Sequence, residues 1–164
     1  LFCFLPIIFI FYPLIENKSI KASRIFLLIF SLIFYGFDHP WFVLPLLLSS
    51  IYDYFISKLI IEKKPKPNQK KFFLISSIVL NIGLLFLFKY LPFVEETLTF
   101  LKFQNTISTP WELQILLPAG ISFYTFQTLS FVFDIYRGEI TKHPRFIDYL
   151  LYVCYFPQLV AGPI

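Results

Sequence analysis

Long apolar runs, separated by short segments that hold most of the charged residues, constrain this chain more than any other feature of its sequence. Hydrophobic residues make up 57% of the chain, whereas soluble domains average about 45–50% apolar residues. Backbone groups in lipid must satisfy their own hydrogen bonds, and no alternating barrel pattern is present, so the runs are expected to be helices. We predict an all-α fold: a polytopic transmembrane helix bundle of about six spans.

The predicted spans follow the apolar runs, and the last two are interrupted by helix-breaking residues. They are Phe2–Ile15, Ile20–Phe37, Trp41–Ile61, Phe72–Tyr90, Leu113–Tyr136 and Phe146–Ala161. Pro118 and Gly120 at the start of the fifth span, and Pro157 in the sixth, are expected to open the helix and free backbone groups. Because irregular backbone at membrane depth is tolerated only when it is buried or lines a cavity, we predict a cavity between these two spans.

Charged residues alternate between the loops in a way that predicts the topology. Basic residues dominate the loops 16–24, 58–71 and 137–145, whereas the intervening connections are the short turn 38–40 and the acidic segment 91–112. Basic loops remain on the cytoplasmic side of a membrane, which places the N-terminus outside. The orientation of the chain in the membrane therefore explains its net charge of +4, and nucleic acid is not a predicted partner.

Three spans carry polar residues at helical spacing, which places each set on one face. The sets are Ser50, Asp53 and Ser57 in the third span, Ser77 and Asn81 in the fourth, and Gln127, Ser130, Asp134 and Arg137 in the fifth. Such faces are expected to meet other helices or a water-filled cavity. Two interpretations are left open for Asp53, a buried partner or an ion pair with Lys58. A local ion pair with Arg137, beside the helix-ending Gly138, is the simplest interpretation of Asp134.

No catalytic or metal-binding pattern is visible in the sequence. Cys3 and Cys154 lie in apolar runs without metal-ligand spacing. His39 lies in a tight turn and His143 in a basic loop, neither with a nucleophile or carboxylate at suggestive spacing, so structural or solvated roles are favoured. Neither a Ser-His-Asp set nor a phosphate-binding glycine loop is present.

Several blocks, read in order, resemble the membrane-bound O-acyltransferase (MBOAT) family, in its bacterial alginate O-acetylase-like branch. They are FLPIIFIFYPLI (Phe4–Ile15), LLIFSLIFYGFDHPWF (Leu27–Phe42), SSIYDYFISKLI (Ser49–Ile60), LFKYLPF (Leu87–Phe93), LPAGISFYTFQTLSFVFDIYRGE (Leu117–Glu139) and FIDYLLYVCYFPQLVAGPI (Phe146–Ile164). The resemblance runs from end to end. It implies that residues 1–164 are the N-terminal portion of a single multispan acyltransferase domain, truncated at both ends.

The resemblance implies an enzyme of the bacterial cytoplasmic (inner) membrane. Such an enzyme moves an acyl group, commonly acetyl, from a cytoplasmic acyl-CoA or acyl-carrier thioester to a hydroxyl of an envelope or exported polysaccharide. The donor is a co-substrate, no bound cofactor or metal is expected, and a periplasmic or extracellular acetylation protein is a further expected partner beside the lipid bilayer. The family's catalytic histidine is expected beyond Ile164, so no catalytic residue is assigned and the piece alone is expected to be inactive.

Positions that match the family blocks are expected to belong to the scaffold or the cavity wall. The candidate cavity-lining residues are Ser122, Gln127, Asp134, Arg137 and Gln158, and the other matched positions are Tyr136, Gly138, Pro157, Gly162 and Pro163. Two further classes fit the composition: a transporter or channel that uses Asp53 and the Asp134–Arg137 pair as a relay, and a non-catalytic membrane subunit that docks an acyl-carrier partner.

Overall fold

The structure, a computed structural model, describes residues 4–17, 19–37, 39–90 and 120–161, and this part of the chain consists of helices joined by short connections. The helices are α1 (Phe4–Glu16), α2 (Ile20–Tyr35), α3 (Val43–Lys63), α4 (Pro67–Leu85), α5 (Ile121–Arg137), α6 (Phe146–Cys154) and α7 (Phe156–Ala161). A 3₁₀ turn (Pro40–Phe42) precedes α3, and a π-helical turn (Phe86–Tyr90) extends α4. The predicted all-α fold is confirmed.

Two helical segments are long and apolar enough to cross a bilayer. They are Pro40–Lys63 and Pro67–Tyr90, each of 24 residues. These two segments correspond to the predicted third and fourth spans. The acidic segment 91–112 and Pro118, together with most of the predicted start of the fifth span, lie outside the described residues.

Glycine residues bound α5 at both ends. Gly120 precedes the helix with a φ of 71° and Gly138 follows it with a φ of 87°, a left-handed conformation that side chains with a Cβ adopt at a cost. At the C-terminal end the Gly138 amide donates to the backbone oxygens of Asp134 (3.0 Å) and Ile135 (3.1 Å). These bonds satisfy carbonyl groups that the end of a helix otherwise leaves unpaired. The predicted helix ending at Gly138 is confirmed.

The sixth apolar run is two helices rather than one continuous span. α6 ends at Cys154, Tyr155 is extended (φ −63°, ψ 114°), and α7 begins at Phe156. Pro157 explains the break, because its ring would clash with the carbonyl group four residues earlier, that of Val153, in a continuous helix. The interruption predicted from Pro157 is therefore confirmed.

The core lies where α5 packs against α3 and α4, with α6 closing over α2, α3 and α5. Leu46, Val132 and Val153 are fully buried there, and the ring of Tyr149 lies 4.7 Å from that of Phe131. Many large apolar side chains on the outer helix faces are exposed, as expected where lipid replaces water. α1 contacts chiefly α2 and lies at the periphery of the bundle.

The helix ends that border the three basic loops lie at one end of the bundle, which we call the basic end (16–24, 58–71 and 137–148). Contacts between residues in or next to different loops join them: the Arg24–Asp148 ion pair, the Ser57–His143 contact at 2.8 Å, and Lys70 Nζ at 4.9 Å from the centre of the Tyr136 ring. The alternation of charge along the sequence predicts this arrangement.

Candidate functional site

Gln127 is the most buried of the five predicted cavity-lining residues, with an exposed fraction of 7%. Its Nε2 donates a hydrogen bond to the backbone oxygen of Tyr152 on α6 at 2.9 Å. Its Oε1 has no hydrogen-bond partner among the described residues. The fifth and sixth apolar segments therefore meet at Gln127, and one buried amide oxygen is left available for a water or a ligand.

Ser122 and Arg137 lie at opposite ends of α5, about 22 Å apart along its axis. Ser122 is half-buried and accepts a hydrogen bond from Lys89 Nζ at 3.3 Å. Arg137 is exposed at the basic end, where its Nη1 lies 3.9 Å from Glu139 Oε1. Both side chains of that pair are about two-thirds exposed, at 66% and 62%. The two predicted site residues therefore do not share one cavity.

Within the described residues, the ion pair of Arg137 differs from the predicted one. The spacing along α5 favours Asp134 as its partner, but the structure pairs Arg137 with Glu139. The left-handed turn at Gly138 is the physical reason, because it folds the chain back so that Glu139 N donates to the Asp134 backbone oxygen at 2.9 Å. Asp134 itself is half-buried, and Ser130 on the same predicted stripe is exposed. The stripe does not form one continuous inward face.

Gln158 lines a groove on the outside of α6. This groove, which we call the polar groove, has a volume of about 490 Å³ and is lined by Arg24, Asp148, Leu151, Tyr152, Tyr155 and Gln158. A second cavity of about 480 Å³, the apolar pocket, lies beside it between α1, α2 and α7. Among the described residues, neither cavity is lined by α5. Gln158 therefore lines one of these two cavities, whereas Gln127 lines neither of them.

A buried polar cluster joins α3, α4 and α5. Asp53 accepts hydrogen bonds from Ser77 Oγ (2.6 Å, to Oδ1) and Asn81 Nδ2 (2.7 Å, to Oδ2). The other end of the Asn81 amide accepts from Thr128 Oγ1 at 3.2 Å. All four side chains are fully buried. Lys58, the alternative partner predicted for Asp53, pairs instead with Glu62 at 3.8 Å.

The spacing of polar residues predicted three members of this cluster, Asp53 on one stripe and Ser77 and Asn81 on another, but not Thr128. Thr128 follows the conspicuous Gln127 and does not lie on the predicted stripe of α5. Its hydroxyl also lies 3.1 Å from the backbone oxygen of Thr125, the common local contact of a helical threonine, and its single proton is shared between the two acceptors. No spacing in the sequence distinguishes such a threonine from one that also bridges to another helix.

His143 contacts a serine that the sequence did not associate with it. His143 Nδ1 lies 3.0 Å from the Pro144 backbone oxygen, which can only accept, so Nδ1 carries the proton. In the neutral ring Nε2 then accepts from Ser57 Oγ, 2.8 Å away. Ser57 is fully buried, and its hydroxyl also lies 2.8 Å from the Tyr54 backbone oxygen. Because a substrate has no access to Ser57, the contact fastens the loop to α3 and is not a nucleophile–base pair.

Burial lowers the pKa of His143 below its ordinary value of 6.5, chiefly through desolvation, with the nearby Lys58 acting in the same direction and Glu62 opposing it. The folded protein therefore binds fewer protons than the unfolded chain just below pH 6.5. The stabilisation by neutral His143 is fully present above that pH and is lost as the pH falls through the lowered folded pKa.

We expect the thermal stability of the detergent-solubilised full-length protein to fall on acidification below pH 6.5 more steeply in the wild type than in His143→Gln. The glutamine amide keeps a polar group near Ser57 but does not titrate. His39→Gln serves as the control for the other histidine. Parallel pH curves for the wild type and His143→Gln would contradict the assignment.

The chain matches, along its whole length, several proteins named as O-acetylases or O-acetyltransferases. Probable alginate O-acetylase AlgI of Pseudomonas aeruginosa is 33% identical over 170 residues, covering all of this chain and 31% of that protein. Peptidoglycan O-acetyltransferase of Helicobacter pylori is 31% identical over 191 residues, covering all of this chain and 35% of that protein. Probable alginate O-acetylase AlgI of Azotobacter vinelandii is 29% identical, again over the whole chain. No family model and no solved structure matches the chain.

The helical fold and these relatives define the class that the chain resembles, the membrane-bound O-acyltransferase family. Within that family it is similar to the alginate O-acetylases and the peptidoglycan O-acetyltransferase. The chain spans about a third of the length of these relatives, 31% and 35%. The resemblance inferred from the motif blocks is confirmed.

Proposed function

We propose that the protein is an O-acetyltransferase that moves an acetyl group from a thioester donor to a hydroxyl of an envelope or exported glycan. The observation that carries the proposal is the match of the whole chain to proteins named as O-acetyltransferases of alginate and of peptidoglycan. In the balanced reaction, the glycan oxygen bonds to the acetyl carbonyl carbon, the carbon–sulfur bond breaks, and the hydroxyl proton passes to the departing sulfur through a base. The products are an acetate ester and a free thiol.

The basic end supports the placement of the donor on the cytoplasmic side of the inner membrane. Positively charged loops stay in the cytoplasm, and the same charge attracts the phosphate groups of an acyl-CoA or an acidic acyl carrier. This orientation places the N-terminus outside. The acceptor glycan is then on the opposite side of the membrane from the thioester, and an extracytoplasmic acetylation protein is a proposed further partner there.

Acyl transfer to an alcohol needs a base and a site shielded from water. His143 is not proposed as that base, because its Nε2 faces Ser57 and its Nδ1 faces the Pro144 carbonyl group. We propose a histidine of another segment of the full-length protein. Gln127, whose buried Oε1 has no hydrogen-bond partner in the part of the chain that the structure describes, is proposed as part of the cavity wall between the two apolar segments.

The transporter alternative is less well supported. It used Asp53 and the Asp134–Arg137 stripe as relay or gating elements, whereas Arg137 is exposed and pairs with Glu139. Asp53 is bonded to Ser77 and Asn81 in a closed cluster, an arrangement that suits helix packing.

The test is to inactivate the gene in its native host and measure ester-linked acetate released by mild alkali from separated peptidoglycan and exported polysaccharide. We expect ester acetate to fall to background in one fraction, to return with the intact gene, and to identify the acceptor by that fraction. Amide-linked acetyl groups, which mild alkali leaves in place, are the internal control. Unchanged ester acetate in every glycan fraction would refute the proposal.

A further inference from the structure

The polar groove and the apolar pocket are adjacent, because Tyr155 lines both. The polar groove begins at the basic end with Arg24 and Asp148, whereas the apolar pocket is lined mainly by apolar side chains, among them Ile8, Leu27 and Phe156. Each volume, about 490 and 480 Å³, falls within the range of small-molecule sites, roughly 300–1,000 Å³. Together they form a site with one polar and one apolar part.

The two parts lie at different depths along α2. Arg24 is about 6 Å and Leu27 about 10 Å from the start of the helix, counted at 1.5 Å per residue. Ser31, whose hydroxyl accepts from the Phe156 amide at 3.3 Å, lies at about 16 Å. Arg24, the charged end of the polar groove, is therefore nearer the basic end than Leu27 and Phe156 of the apolar pocket, which is the order of the headgroup and acyl chain in a phospholipid leaflet.

The charges around the mouth of the groove favour an anion. Arg24 lines the groove with one acid, Asp148, and two further basic residues lie one turn away along the same helices: Lys21 precedes Arg24 on α2, and Arg145 stands immediately before α6. Asp148 accepts a hydrogen bond from one arm of the Arg24 guanidinium group, Nη1. Since a guanidinium group has five N–H donors, this bond orients Arg24 and leaves other donors for a phosphate oxygen. The arginine side chain is 40% exposed, so a headgroup has access to it.

We propose that this site binds an anionic membrane phospholipid, with its phosphate at Arg24 and one acyl chain in the apolar pocket. A soluble phosphate compound would match only the polar part, and a lipid without a phosphate would match only the apolar part. A zwitterionic phospholipid would bring its cationic group next to Arg24. The two-part geometry thus favours an amphiphile with a negative headgroup. This binding does not depend on which group the enzyme transfers.

The test uses the full-length protein purified in detergent micelles that contain equal amounts of phosphatidylglycerol and phosphatidylcholine with identical acyl chains. Lipid retained after gel filtration is measured by mass spectrometry. We expect the wild type to retain phosphatidylglycerol preferentially. Arg24→Gln is expected to reduce that preference about fivefold, the factor equivalent to ~1 kcal/mol per basic side chain at a membrane surface. Leu27→Trp, which fills the pocket, is expected to reduce retention of both lipids.

Two further variants control for folding and for general charge. Lys71→Gln removes an exposed basic residue from α4, outside the groove, and is expected to behave as the wild type. Asp148→Asn breaks the same ion pair as Arg24→Gln but removes negative charge, so it is expected to keep or increase the preference for phosphatidylglycerol. Equal retention of both lipids by the wild type, or displacement of phosphatidylglycerol by glycerol phosphate alone, would overturn the proposal. So would an Asp148→Asn variant that loses the preference as Arg24→Gln does.

Discussion

Asp53→Ala is expected to lower the free energy of unfolding of the full-length protein by about 2–6 kcal/mol. The substitution removes the acceptor of two hydrogen bonds, from Ser77 and from Asn81, at a fully buried position. An orphaned buried donor costs about 1–3 kcal/mol, and two are created here. A cavity where the carboxylate stood adds to the loss. Unfolding in detergent, followed by circular dichroism during titration with a denaturing detergent, measures the effect.

Asp53→Asn separates hydrogen bonding from charge. The amide can accept from Asn81 through its oxygen and donate to Ser77, whose hydroxyl can reverse its role. We therefore expect Asp53→Asn to cost less than about 1 kcal/mol. An asparagine variant as unstable as Asp53→Ala would show that the negative charge, and not the bonding pattern, stabilises the bundle.

Two neighbouring serines on α4 supply a matched control. Ser77 is fully buried, and its hydroxyl donates to Asp53. Ser76 is half-buried, and its hydroxyl donates to the Phe73 backbone oxygen of the same helix at 2.8 Å. Among the described residues, no hydrogen bond joins Ser76 to another helix. Ser77→Ala is expected to destabilise by about 1–3 kcal/mol and Ser76→Ala by a few tenths. Equal effects of the two substitutions would contradict the proposed importance of the cluster.

Tyr149→Ala is expected to destabilise the protein by about 3–5 kcal/mol, the range of large aromatic-to-alanine changes in a packed core. The ring is 1% exposed and lies between Phe131 and Tyr54, at centroid distances of 4.7 and 5.6 Å. In a bilayer the loss comes mainly from packing contacts, because lipid gives little hydrophobic drive between helices. The thermal midpoint of the detergent-solubilised protein is the measurement.

Tyr149→Phe tests the hydroxyl separately from the ring. The Tyr149 hydroxyl is buried and has no hydrogen-bond partner among the described residues, so its removal leaves no other group unpaired. We expect Tyr149→Phe to match or slightly exceed the wild-type stability, and Phe126→Ala, at a 62% exposed position on α5, to have little effect. A large loss in Tyr149→Phe would mean that the hydroxyl holds an ordered water or a ligand.

Hydropathy and the helix-breaking residues predicted the positions of the helices well, because both signals act on residues that are neighbours in the sequence. The helix ending at Gly138 and the break before Pro157 follow from backbone sterics that one residue imposes on its neighbours. The candidate cavity residues were less predictable. Ser122, Gln127 and Gln158 have different surroundings, and their place in the wall of a substrate cavity stays a prediction. A side chain's surroundings depend on the rotation of its helix against neighbours distant in the chain.

The amino-acid sequence by itself determined that this is an all-α membrane protein, which segments are helical, and which family they resemble, because apolar length and ordered motifs are properties of contiguous residues. Only the tertiary structure decided that Asp53 is bonded to Ser77 and Asn81, and that Arg137 pairs with Glu139. These choices depend on which helix faces meet and on how the chain turns after a helix end. Several arrangements satisfy the same spacing, and packing selects one of them.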